Sequence, residues 1–264
     1  MSANADSQSM GPCEELLEIR TLDCSGAFWN LHHYSIAGST NDVARGLEPW
    51  SAVRADVQTK GRGRFGRAFA SGPGGLWISA VLPKLGDQGA GFSLRVGASL
   101  LDYIKNLGLS QARLRWPNDL MCGNQKLGGL LIEQTAGGSL IVGFGLNIFN
   151  EPWSGDVSLQ GITTSLAVLM DQPPSIEHAT TGVLAALAEA HQKMISTGMA
   201  GAIEELNRGW VDPVPVEIHL SDGEIGAGFF VGLDPQGNLI LRDDAGEEFC
   251  VQHHLVERLR ELMP

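Results

Sequence analysis

Gln58-Thr59-Lys60-Gly61-Arg62-Gly63-Arg64-Phe65-Gly66-Arg67 is the stretch of this 264-residue chain on which the fold reading turns. Between Arg54 and Arg67 lie five of the 18 basic residues and one acid, Asp56, in a chain of net charge −12. Three glycines alternate with the arginines. Such a segment cannot bury itself as core. It can wrap an anion, because glycine lets the backbone come close and arginine offers planar donor forks that fit carboxylate and phosphate. Four cations within Lys60–Arg67 also repel one another unless something negative sits among them.

Gly61, Gly63 and Gly66 match the G-x-G-x-x-G dinucleotide pattern, but their surroundings do not. A dinucleotide loop must open directly onto a helix. Here only Arg67 to Ser71 precede the breakers Gly72-Pro73-Gly74-Gly75. No V-A-I-K strand or H-R-D loop follows, as a kinase needs, and no G-x-x-x-x-G-K-[ST] occurs. The segment reads instead as a cover between two strands, Ser51–Gln58 and Leu76–Leu82.

Upstream, Trp29 to Ile36 reads as a first strand, broken by Gly38. Ser39 or Thr40 then caps a helix with Asp42 in its first turn, a corner that can present hydroxyls and amides to a ligand. Residues 1–28 read as a polar tail, with a short helix at Cys13–Arg20. Downstream, Phe92–Leu107 has helical spacing and Arg113–Trp116 is a short strand. Gly123-Asn124 marks a turn, and Gly128–Gln134 and Leu140–Ile148 form an antiparallel pair. Ser165 caps a short helix, Ser175 opens a long one to about Ile195, and Ala200–Trp210 is another. From Asp212 the pattern changes to four short strands, Val214–Leu220, Gly226–Leu233, Asn238–Asp243 and Glu247–Val251. Their tight turns suggest a small barrel and a second domain.

With 43% hydrophobic and 18% charged residues the chain can bury a sizeable core. Its acidity argues against general nucleic-acid binding, which needs a broad basic face. No apolar run reaches the ~20 residues of a membrane span. The four cysteines, Cys13, Cys24, Cys122 and Cys250, show no C-x-x-C spacing and no histidine pattern completes a metal site. A reducing cytoplasm is the default. Cys122 has no evident activating base, so no covalent enzyme nucleophile is expected.

Four stretches together resemble the biotin protein ligases. Gly61 to Arg67 is similar to that family's GRGRxGR signature, and Ser39-Thr40-Asn41 to its STN corner. Arg115-Trp116-Pro117-Asn118-Asp119 with Lys126-Leu127-Gly128-Gly129 resembles its KWPND…K-x-[AG]-G segment. Gly143-Phe144-Gly145-Leu146-Asn147 resembles its G-x-G-[IL]-N strand end, and Gly226–Leu239 its C-terminal SH3-like domain. The likeness runs from about Trp29 to Arg260.

The resemblance implies an α+β fold, with a biotin/lipoate-ligase-like mixed sheet flanked by helices and a small C-terminal SH3-like β-barrel. The catalytic domain would be 29–212 and the C-terminal domain 213–264. It implies joining of biotin's carboxylate to the α-phosphate of ATP, with Mg2+ sharing the triphosphate charge. The biotinyl group would then pass to a lysine of the biotin carboxyl carrier protein of acetyl-CoA carboxylase. Arg115, Arg64 and Lys126 would be catalytic. Ser39, Thr40, Asn41, Gln58, Gly61, Arg62, Gly63, Arg64, Arg67, Arg115 and Trp116 would bind biotin or biotinyl-AMP. Asn118, Lys126, Gly129 and Asn147 would meet the nucleotide, and Trp77 and Trp116 could wall the biotin pocket.

The chain departs from the family at Arg115, where the family has lysine, and at Phe69, where it often has tryptophan. The charge at 115 is kept but its geometry is changed. Only 28 residues precede Trp29, too few for the helix-turn-helix unit that some members carry. A lipoate or octanoate ligase or transferase, and a non-catalytic biotin or biotinyl-AMP binder, stay open as alternatives. A free sheet edge could pair with the carrier or form a homodimer.

Overall fold

The computed structural model describes residues 14–86, 91–210 and 212–262. The main layer is an eight-stranded mixed sheet. Its strands are β1 (Glu15–Cys24), β2 (Ala27–Ala37), β3 (Ser51–Gln58), β4 (Leu76–Leu82), β5 (Ala112–Arg115), β6 (Asp119–Cys122), β7 (Gln125–Gln134) and β8 (Leu140–Leu146), in the order β1-β2-β3-β4-β8-β7-β6-β5. Only β2 and β3 run parallel, joined across α1 (Thr40–Ala44).

The two faces are sorted by the period-two alternation of a strand. On one face Ala52, Ile78, Ala80, Leu82 and Val142 join the core beneath α2 (Phe92–Asn106) and α5 (Ile176–Thr197). On the other, Val53, Val81 and Ile141 pack under Ala44 of α1. That second face is only partly covered. Ser79 lies opposite Gly143, and Gly143 opposite Leu131, so the sheet floor continues past α1 with small residues at 79 and 143. This uncovered floor is where a ligand can sit.

Two short helices, α3 (Pro152–Gly155) and α4 (Leu166–Leu169), fill the loop after β8, and α6 (Ala200–Arg208) follows α5. The C-terminal part is a five-stranded antiparallel sheet of β9 (Val214–Leu220), β10 (Ile225–Leu233), β11 (Leu239–Arg242), β12 (Glu248–Val251) and β13 (Val256–Glu261), ordered β12-β11-β10-β9-β13. Among the described residues no ladder joins β12 to β13, so the expected barrel is seen as a five-stranded sheet whose ladders do not close.

Two expectations need correction. The segment read as tail and short helix is β1, paired antiparallel with β2 from Glu15 to Cys24; residues 1–13 lie outside the described set. Its Leu16, Leu17 and Ile19 are all exposed, so the burial alternation that marks a strand is missing. The second is β13, a fifth strand where four were expected. Four of its six residues, Glu257, Arg258, Arg260 and Glu261, are charged, which hides the alternation.

The two sheets are tied together. Trp210 donates its indole N–H to Leu114 O at 3.1 Å and meets Phe230 edge-on at 4.8 Å. Arg113 forms a two-pronged pair with Glu261, both contacts 2.6 Å. Trp210→Ala removes a buried aromatic from this seam and should cost about 3–5 kcal/mol. Urea unfolding followed by circular dichroism checks this; a loss under about 1 kcal/mol would mean that the seam contributes little.

Candidate active site

Ser39 opens α1 in an extended conformation, but its hydroxyl makes no cap. It is 3% exposed and lines the cleft beside Thr40 and Asn41, so the expected capping residue is left free to meet a ligand. Its neighbours form a closed polar relay. The Thr40 N–H and hydroxyl both donate to Gln58 Oε1, at 2.8 and 3.0 Å. Gln58 Nε2 donates to Ser71 Oγ at 2.9 Å, and Ser71 donates to Phe69 O at 3.0 Å. Ser79 Oγ lies 2.7 Å from Thr40 Oγ1 and 2.6 Å from Asn41 Oδ1. These contacts orient the Gln58 amide and leave it one spare N–H.

The floor requires glycine. A Cβ on Gly143 would sit 2.3 Å from Asn41 Oδ1, and one on Gly145 would sit 2.5 Å from the Phe69 ring. Asn41 and Phe69 therefore lie directly on the β8 backbone.

The glycine loop forms the roof. It is ordered as a small hairpin, with Gly63 N–H on Arg67 O at 2.8 Å, Phe69 N–H on Gly61 O at 2.9 Å and a one-turn 3-10 helix at Arg64–Gly66. Arg62 Nη1 and Nη2 donate to Asp42 at 2.7 Å each, and Nη2 also reaches Glu133 at 3.1 Å. The Arg62 hydrogen bonds hold the Asp42 carboxyl below its usual range. Beneath Arg62, Gly63 and Phe69 the cleft has about 50 Å³ of free space, enough for only a few waters.

Past Asn118 and Lys126 the cleft meets a cavity of about 170 Å³ lined by Arg64, Arg67, Trp116, Lys126 and Arg258 of β13. Another, of about 270 Å³, is lined by Arg64, Trp116, Phe92, Leu94, Leu131 and His253. Arg64 borders both. Its described contacts include the Val256 carbonyl at 3.4 Å and the Phe65 ring at 5.0 Å. Burial, then the nearby Arg67, weakens its hold on its proton, a stress that an anion would relieve.

Asp119 carries two cations. Arg115 Nη2 is 2.6 Å from one carboxylate oxygen and Lys126 Nζ 2.5 Å from the other. Burial pushes the Asp119 carboxyl up, but Lys126 and Arg115 outweigh it and the net direction is down.

The expected residues thus separate. Ser39, Thr40, Asn41, Gln58, Arg62, Gly63, Asn118, Lys126 and Gly129 border one cleft, and Arg64, Arg67 and Trp116 line the adjoining cavities. Arg115 borders neither and reaches the site through Asp119. Asn147 is 4% exposed and engaged by Thr164 O and Asn150, both at 2.9 Å. With Gly61 it borders a different hollow, on the far side of the loop. Trp77 is fully buried core, donating to Gly72 O. Asp42, Glu133, Ser71 and Ser79 were not expected. Asp42 read only as a first-turn acid; a lone serine in an apolar strand was the one signal for Ser79.

Comparison with known proteins fits this geometry. Residues 39–150 match the model of the biotin/lipoate A/B protein ligase family, a span that holds the polar relay, the roof and the Asp119 cluster. The bifunctional ligase/repressor BirA of Salmonella typhimurium is 30% identical over 75% of this chain and 63% of its own length. The chain thus spans about 63% of the first curated relatives it matches. A biotin–[acetyl-CoA-carboxylase] ligase of Paracoccus denitrificans is 29% identical, over 78% of this chain and 90% of its own. The fold of the chain also matches that of a biotin protein ligase from Aquifex aeolicus in complex with biotin and ATP. That likeness has a TM-score of 0.77 and 23% identity, over 88% of this chain and 99% of that one.

The Asp119 cluster has a pH signature. A carboxyl whose folded pKa lies below its unfolded value adds stability above about pH 4 and loses it as pH falls through the folded value. Asp119→Asn removes the charge and leaves Arg115 and Lys126 facing each other. The variant should be less stable than wild type at pH 7, with the gap closing below about pH 4 as Asp119 itself becomes neutral. Urea midpoints between pH 7 and 3 measure it; a gap independent of pH would exclude this role.

Proposed function

We propose that this chain is a biotin protein ligase. A biotin carboxylate oxygen attacks the α-phosphorus of ATP, the bond to the β-phosphate breaks, and pyrophosphate leaves. A carrier lysine amine then attacks the acyl carbon of biotinyl-AMP, AMP leaves, and the amine loses a proton. The observation that carries this reading is the joining of a polar cleft, in which Arg62 is matched by Asp42 and Glu133, to a cationic cavity through Lys126 and Asn118. An uncharged ring with polar edges suits the first, and the acyl-phosphate anion suits the second.

The free Ser39 hydroxyl and the spare Gln58 N–H support biotin over a lipoyl or octanoyl tail. Biotin's ureido group can pair with them, whereas an apolar tail would leave buried polar groups unpaired at about 1–3 kcal/mol each. Gly63 and Phe69 cover the reacting end and keep water from the mixed anhydride. Lys126 and Arg64 stabilise charge on the phosphorus oxygens, while Arg115 holds Asp119 and through it Lys126. Arg67 extends the cationic wall.

Magnesium fits as a companion of the triphosphate rather than as a resident of the protein. Among the described residues no three His, Cys, Asp or Glu side chains converge on a point. Magnesium on phosphate needs only one or two protein oxygens, and Asn118 and Glu257 border the cationic cavity. It would share the phosphate charge there.

The carrier is taken to be a carboxylase biotin domain, as the names of the relatives suggest. The outer strands β1 and β5 are edges at which a carrier strand, or a second copy of the chain, could add. Among the described residues no helix is long and apolar enough to cross a membrane, and Cys24, Cys122 and Cys250 are free thiols; both accord with a cytoplasmic protein.

Biotin-dependent exchange of pyrophosphate into ATP tests the reading. Wild type should catalyse it with biotin and not with lipoate. Arg64→Ala and Lys126→Ala should each lower it about 100-fold or more, and Arg115→Lys should retain most of it. Biotin binding without exchange would favour a non-catalytic binder.

A further inference from the structure

The cavity of about 270 Å³ beside the cleft is walled largely by apolar side chains, Phe92, Leu94 and Leu131 among them. Two polar atoms on its lining residues lack protein partners. Trp116 is 4% exposed, and its indole N–H makes no hydrogen bond. The other belongs to His253, which opens the one-turn 3-10 helix after β12. The tautomer of His253 follows from its neighbours. Its backbone N–H donates to Asn238 Oδ1 at 3.1 Å, and Asn238 Nδ2 donates to the Asp234 carboxylate at 2.9 Å. One contact needs an acceptor and the other a donor, so the Asn238 amide has a single orientation. His253 Nδ1, 3.1 Å from the same Oδ1, then carries the ring proton. Nε2 is left with its lone pair and without a protein partner among the described residues. Burial first, then His254, weakens the ring's hold on a second proton; Arg64 acts in the same direction and Asp234 opposes them. The ring is therefore neutral at pH 7.

Asn118 and Leu131 border both this cavity and the cleft, and Arg64, Trp116 and Asn118 border both it and the cationic cavity. It therefore opens where the ligase reading puts the mixed anhydride. A lysine amine must reach that point as a free base, because an ammonium has no lone pair to attack with. Lysine's ordinary pKa of about 10.4 keeps it protonated at neutral pH. Apolar walls suit the aliphatic stem, and together with Arg64 they disfavour the ammonium form. Of the described residues that line the cavity, His253 is the one able to accept a proton near neutral pH. We propose that this cavity admits the acceptor lysine of the carrier, and that His253 is a catalytic residue whose Nε2 takes the proton the lysine nitrogen gives up as it attacks the acyl carbon. The N–C bond forms, the bond from the acyl carbon to the phosphate oxygen breaks, and its electron pair leaves on AMP. The proton passes from nitrogen to Nε2 and then to water. Asn238 is a positioning residue, holding the tautomer that keeps Nε2 bare. The inference rests on the ligase reading above.

The two half-reactions separate the claims. Biotin-dependent exchange of pyrophosphate into ATP involves no amine and reads the ligase assignment. Single-turnover transfer from preformed, enzyme-bound biotinyl-AMP to a biotin carboxyl carrier domain reads His253. His253→Ala should slow transfer about 100-fold or more and disturb exchange far less. Added imidazole should restore transfer to His253→Ala in proportion to its concentration, a rescue that a packing role would not give. Asn238→Ala, which frees the ring tautomer, should slow transfer in the same direction by a smaller factor. Normal transfer by His253→Ala overturns the assignment, as does an equal loss of exchange and transfer that imidazole does not rescue. A wild type without biotin-dependent exchange overturns the ligase reading and this inference with it, so the two failures are told apart.

Discussion

The side-chain amide of Gln58 is the contact on which the site depends. It is the last residue of β3, and strand pairing fixes it opposite Ala37 of β2. From there its oxygen takes two hydrogen bonds from Thr40 at the start of α1, and its nitrogen binds Ser71 on the return from the glycine loop. One neutral group thus joins the corner before the loop to the strand before it and the segment after it. Because Thr40 is also bound by Ser79 of β4, the relay reaches the sheet floor. A buried neutral network of this kind is rigid when every member is satisfied and needs no ion to hold its shape.

That neutrality sorts charge within the site. The end bounded by Ser39, Thr40, Gln58 and Ser79 holds no unmatched cation, since Arg62 above it is paired with Asp42 and Glu133, and the other cations lie from Lys126 outward. They are managed differently there. Arg62 is matched by Asp42 and Glu133, and Arg115 and Lys126 by Asp119, so burial of these charges is compensated. Arg64 is half buried without such compensation and lies beside Arg67, which leaves a site whose potential asks for an anion. In an acidic protein this local excess is specific, because like-charged surroundings elsewhere repel the same ligand.

Much of this was legible from sequence, and the exceptions have physical causes. The STN corner, the loop, the RWPND turn and the glycines of β8 are local patterns whose residue types are dictated by backbone approach and hydrogen bonding. Their register along the chain places them on one sheet face. Partners distant in sequence left no such trace. Glu133 lies 71 residues from Arg62, and only the β7–β8 pairing brings it under the loop. Arg115 kept the family's charge, so the sequence placed it against the substrate, whereas its planar fork is turned to Asp119. The β1 strand was missed because its apolar residues face solvent, and β13 because its charges mask the alternation.

The missed β13 changes how the loop must be understood. Val256 O is bound by Arg64, and Glu257, Arg258 and Leu259 line the cationic cavity, so the small sheet closes a side of the site instead of merely following it. The loop is then braced twice, by Arg62 to α1 and β7 and by Arg64 to β13. Gly63 is the single residue between these braces, and a Cβ there would meet nothing nearer than Arg67 O at 3.9 Å. Glycine at that point is not demanded by crowding. Its backbone is extended, with φ −104°, so the conformation does not demand glycine either. A carbonyl contact of 3.4 Å is weak beside a two-pronged ion pair, so the Arg64 brace gives way at less cost than the Arg62 brace. The Arg64 side chain can therefore come free of β13 while Arg62 stays held by its two carboxylates.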